Sequence, residues 1–111
     1  MGAGPRAALQ EVRVSRSFVV RPEAEAELDE AAAWYSERSR GLGAEFVRVI
    51  DAAFSAIERS PQQFPAVYGH VRRAVIRRFP YAILFTASED EIVVLAVFHS
   101  RRDPKHWQLR G

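Results

Sequence analysis

The 111-residue chain has no cysteine. That removes a disulfide framework, a thiolate zinc site and a cysteine nucleophile together, so the fold must hold by packing. Lysine is nearly absent as well: of sixteen basic residues only Lys105 is not arginine. Arginine stays charged at any working pH and cannot serve as an ordinary base, so proton chemistry through lysine has one residue to draw on. No apolar run approaches the ~20 residues that a membrane span requires, and the opening MGAGPRAALQEVRVSR lacks the apolar stretch of a secretory signal. The expectation is a cytoplasmic protein with no membrane segment.

What is present is ordinary globular composition, 48% hydrophobic, 27% charged and 11% aromatic. A chain of this length supports one domain and buries roughly two-thirds of the surface its unfolded form exposes. Charge is distributed unevenly. Residues 1–21 set four arginines against Glu11, residues 22–60 set nine acids against four arginines, and residues 72–111 set eight bases against four acids. An acidic middle is followed by a basic end.

Residues 1–16 contain Gly2, Gly4 and Pro5 without a sustained period and are expected to form a loosely ordered leader. The domain is expected over residues 17–111. Its opening SFVV is short, apolar and β-branched, as in a strand, and Pro22 then suits the first turn of a helix. From Pro22 to Ser39, Ala24, Leu28, Ala31 and Tyr35 follow one helical face, with acids crowding the start and Arg38 the end, as the helix dipole favours. RGLG breaks that helix. A second is expected from about Ala44 to Arg59, with Phe46, Ile50, Ala53 and Ile57 on one stripe, widened by Val47 and Phe54. So short a connection makes the pair an antiparallel hairpin. Trp34 and Tyr35 are about 100° apart on the first helix, so only one of them can face the core squarely.

After a loop with Pro61, Pro65 and Gly69 come three strand-like runs, VRRAVIRRF, YAILFTA and EIVVLAVFH, the last two joined by a SEDE turn. In the final run both alternating sets, Ile92, Val94, Ala96, Phe98 and Val93, Leu95, Val97, are apolar, which marks a strand buried on both faces. The fold class is therefore α+β in the order β-α-α-β-β-β, a helical hairpin packed on one face of a largely antiparallel four-stranded sheet. The opposite sheet face is apolar along the last strand and calls for its own cover: the C-terminal tail, a second copy of the chain, or a partner protein.

The acidic, alanine-rich helix ending AAAWYSERS, then RGLGAEFVRVIDAAFSAIERSPQQFP, RRFPYAILF, IVVLAVFHSRRDP and a closing Trp107 together resemble the RelE/ParE toxin family over about residues 17–111, closer to its ParE-like branch. The order and spacing of these pieces carry the resemblance. It implies a toxin neutralised by a cognate antitoxin. It also implies one of two actions, binding of DNA gyrase in the ParE-like branch or metal-independent cleavage of messenger RNA, usually on the ribosome, in the RelE-like branch. Neither requires a cofactor.

RNA cleavage through the ribose 2′-hydroxyl needs a proton acceptor, a proton donor and cations for the phosphate. With one lysine that set is incomplete. His99, at the end of the last strand beside Ser100, Arg101 and Arg102, is the candidate acid-base group; it would equally serve as a strand cap. Three scattered histidines do not suggest a metal site. Arg72, Arg73, Arg77 and Arg78, with Arg101 and Arg102, are candidates for a partner- or target-binding surface, against the plainer reading of a solvated edge. Tyr81 and Trp107 are the accompanying aromatic candidates, with core packing as their plainer reading.

Overall fold

The computed structural model describes residues 16–101, so Arg102, Lys105, His106, Trp107 and all but the last residue of the expected leader lie outside the described residues. In chain order the elements are β1 (Ser17–Val20), α1 (Pro22–Arg38), α2 (Leu42–Arg59), a 3-10 turn (Pro61–Gln63), β2 (Ala66–Tyr68), β3 (Val71–Val75), β4 (Tyr81–Ala87) and β5 (Glu91–His99). They form a five-stranded sheet in the order β1-β5-β4-β3-β2. β1 runs parallel to β5 and the remaining pairs are antiparallel. The α+β reading holds, with one more strand than four. The addition, β2, is an exposed three-residue edge between Pro65 and Gly69, too short to show alternation. It is held by pairing with β3 after a turn at Gly69, whose φ is +55°.

α1 starts at Pro22, where the missing N–H costs nothing, with Glu23 and Glu25 in the first turn and Arg38 in the last. Its core stripe is mostly alanine: Ala24 and Ala31 are buried, and Leu28 and Tyr35 are partly buried against the same cluster. α2 starts at Leu42, two residues before the sequence expectation, because Gly41 takes a left-handed conformation (φ +80°) and turns the chain early. Phe46, Ile50 and Ile57 are completely buried on its stripe. Facing them on the sheet are Ile83, Phe85, Ile92, Val94 and Val97.

β5 is buried on both faces, as its doubly apolar sequence requires. Val71, Leu84, Leu95 and Ala96 form a second cluster with Val93 and Phe98, separate from the helix-side core. The two faces do not follow simple alternation, because the β4–β5 register shifts between Leu84 and Phe85, which pair with Ala96 and Val94. Leu95 is the extra residue of a β-bulge. Tyr81, Ile83, Phe85 and Ala87 therefore pair with His99, Val97, Val94 and Ile92 on the helix side.

The strand expected over VRRAVIRRF stops at Val75. Ile76 and Phe79 are buried, and the Ile76 N–H donates to the Tyr81 carbonyl, so the chain tucks in while Arg77 and Arg78 stay exposed. Arg78 ties this loop to α2 through an ion pair with Glu45, which also accepts from Arg48 at 2.9 Å. The Arg48 hydrogen bond and then the Arg78 charge hold the Glu45 carboxyl below its ordinary range. A depressed carboxylate pKa adds stability above the unfolded value and loses it as pH falls through the folded one; solvent screening keeps that contribution small.

Candidate binding site

Two local events place the site. β1 ends at Val20, opposite Val94, and the chain turns into α1; at the same level β5 bulges at Leu95. Beyond that level β5 borders α1 instead of β1. The Glu27 carboxylate on α1 accepts the Val97 N–H at 2.9 Å, taking the acceptor role a neighbouring strand would have played.

Between α1 and this end of β5 lies a cavity of about 450 Å³. Its α1 wall is Glu27, Glu30, Ala31, Trp34 and Tyr35, and its sheet wall is Pro80, Tyr81, Val97 and His99. The size falls within the ~300–1,000 Å³ of ligand pockets. Tyr35 and Tyr81, one from each wall, belong to an aromatic cluster with Phe46 and Phe79: Tyr35–Phe79 centroids lie 4.8 Å apart and Phe46–Tyr81 centroids 5.1 Å. Burial pushes the Tyr35 phenol above its ordinary pKa, still further from ionising at physiological pH. Trp34 is 49% exposed at the rim, edge-on to Tyr35, with the Arg38 guanidinium 4.2 Å from its ring centroid. The adjacent pair thus divides as helix geometry demands, Tyr35 inward and Trp34 outward.

His99 is half-buried, with its ring 5.3 Å from that of Tyr81. Its Nδ1 accepts the Arg101 N–H at 3.1 Å, which directs the proton of the neutral ring to Nε2. The strand-cap role of this histidine is therefore present in the fold. No arginine or lysine lines the cavity among the described residues.

The arginine candidates do not gather at one place. β4 separates β3 from β5. Arg72 lies on the helix side of β3 and donates to the Phe64 carbonyl at 2.5 Å, whereas Arg73 is exposed on the opposite face. Arg77 and Arg78 occupy the β3–β4 loop, and exposed Arg101 follows β5 at the same end of the sheet, where His99 pairs with Tyr81. Tyr81 is both part of the core cluster and a cavity wall. Glu27 and Glu30 were not foreseen in the sequence, because acids off the apolar stripe of a helix look like a solvated face.

Glu27 also sets a local stability. Glu27→Ala leaves the N–H of the buried Val97 without its acceptor, which should cost about 1.5 kcal/mol. Glu27→Gln keeps an acceptor oxygen and should cost less than half of that. Urea unfolding, with hydrogen exchange at the Val97 amide, checks this; equal losses in the two variants would show that charge, not the acceptor, is what counts.

A family model described as the ParE toxin of the type II toxin-antitoxin system parDE matches residues 18–104. The chain belongs to the ParE toxin family. Family members are toxin components of toxin-antitoxin systems, and the resemblance seen in the sequence is confirmed at that level. A solved chain from the chromosomal ParDE TA system of P. aeruginosa shares the fold with a TM-score of 0.66 at 21% identity, covering 78% of this chain and 97% of that one. No curated protein matches the chain at a significant level. No helix among the described residues is long and apolar enough to cross a membrane.

Proposed function

We propose that this protein is a cytoplasmic toxin that arrests growth by binding DNA gyrase and is held inactive by a cognate antitoxin. Membership of the ParE toxin family supports a toxin with a protein target. The observation that carries the choice against RNA cleavage is the setting of His99: its cavity is lined by two carboxylates and, among the described residues, by no arginine or lysine. A phosphodiester would enter against like charge, and the developing charge of its transition state would find no arginine or lysine in the cavity lining. Arg73, Arg77 and Arg101, exposed on the surface outside the cavity, are then charges that meet partners, including the acidic tail of an antitoxin, and steer their encounter.

The test uses the purified chain in two assays, inhibition of gyrase supercoiling and cleavage of messenger RNA during translation. Inhibition of supercoiling without RNA cuts is expected, and His99→Ala should retain at least about half of the inhibition, since no bond chemistry is asked of it. Specific RNA cuts that disappear in His99→Ala would replace gyrase with RNA as the target.

A further inference from the structure

We propose that the cavity between α1 and the end of β5 is a receptor for one basic side chain, an arginine or lysine, presented by the antitoxin; the identity of that partner rests on the function proposed above. Two features of the cavity converge on a cation. Glu27 and Glu30, one turn apart on α1, supply negative charge, with Glu27 fixed in place by the Val97 N–H. Trp34, Tyr35 and Tyr81 supply aromatic rings, and rings attract cations through their negative faces. The chain already uses Trp34 in this way, holding the Arg38 guanidinium 4.2 Å from its centroid. A guanidinium or ammonium entering beside the ring would meet the exposed carboxylate of Glu30, while its aliphatic stem would lie along Pro80 and Val97. An anionic group would meet two carboxylates there, and a neutral one would gain no charge attraction.

The site also divides the antitoxin's chemistry. Its acids would meet the exposed arginines, while this single base would enter a pocket of opposite sign. A segment with charges in the wrong order would place like beside like, which makes the cavity a source of partner discrimination as well as affinity.

The first experiment needs no antitoxin. N-acetyl-arginine amide is titrated into the full chain and followed by the Trp34 indole and Tyr81 amide NMR signals, with the isosteric neutral N-acetyl-citrulline amide in parallel. Saturable shifts are expected for arginine, about fivefold weaker binding for citrulline, and loss of that difference in Glu30→Gln. Equal binding of the two compounds, or shifts that bypass Trp34 and Tyr81, would overturn the proposal. The second experiment measures binding of the cognate antitoxin to Glu30→Gln/Trp34→Ala, after its thermal unfolding is shown to match wild type. The dissociation constant should rise about tenfold or more; an unchanged value would overturn the assignment of the cavity to this partner. Growth arrest by the wild-type chain expressed alone reports separately whether the toxin reading holds, so the two failures are distinguishable.

Discussion

Phe46→Ala should destabilise the fold by about 4 kcal/mol, a large part of the ~5–15 kcal/mol that holds a typical domain. Phe46 is fully buried, and its ring meets three others: Tyr35 at 5.3 Å, Phe79 at 5.1 Å and Tyr81 at 5.1 Å between centroids. The four rings join α1, α2, the β3–β4 loop and the start of β4. Truncation removes the apolar area of one ring and also the edge-to-face contacts it makes, and the rigid strands beneath cannot collapse into the space. A melting temperature lowered by on the order of 20 °C is expected, with a urea midpoint shifted in proportion. Phe46→Leu should recover more than half of the loss. The effect should also reach the surface cavity, whose walls include Tyr35 and Tyr81. A cost below about 1.5 kcal/mol would mean that the surrounding rings close the gap, and that the cluster does not brace the cavity.

That cluster was only partly legible in the sequence. Phe46 stood out because it recurs with Ile50, Ala53 and Ile57 at helical spacing, and period alone places such a stripe inward. Tyr35 could be assigned with Trp34 as a pair of which one member faces in. Phe79 closes the strand-like run VRRAVIRRF, and its inward turn depends on the Ile76–Tyr81 hydrogen bond, a tertiary feature with no local signature. The bulge at Leu95 was hidden for a different reason. Every residue from Ile92 to Phe98 is apolar, so a one-residue change of face leaves the pattern of hydrophobicity unaltered. Yet that bulge, with the end of β1, decides which side chains meet across the cavity. The acids of the cavity were visible as residues but not as a site, because Glu27 acquires its meaning from the Val97 N–H seventy positions away.

Gly43→Ala should cost about 2 kcal/mol, half the loss expected at Phe46, although it adds one methyl group. Gly43 is buried in the first turn of α2 where that helix crosses α1. A Cβ built there would lie 1.9 Å from the Ser36 hydroxyl and 2.4 Å from the Ala32 carbonyl oxygen. Two effects oppose each other. Alanine favours a helix over glycine by ~0.5–1 kcal/mol, while overpacking a fixed contact costs ~1–3 kcal/mol and sometimes more. The Ser36 hydroxyl can rotate away, but the Ala32 carbonyl belongs to the α1 backbone, so relief requires the helices to separate. Separation would strip contacts from Tyr35 and Phe46 and move Trp34 relative to the sheet wall of the cavity. The second effect therefore wins. Ser36→Gly combined with Gly43→Ala removes the side-chain clash and leaves the carbonyl clash, and should restore less than about half of the stability. Gly41→Ala offers the contrasting case: nothing lies within 4 Å of its added Cβ, but φ is +80°, so the cost is conformational and about 1–2 kcal/mol. Urea unfolding of the three variants orders these effects. Full recovery in the Ser36→Gly, Gly43→Ala double variant would show that the hydroxyl, not the backbone, sets the spacing of the hairpin.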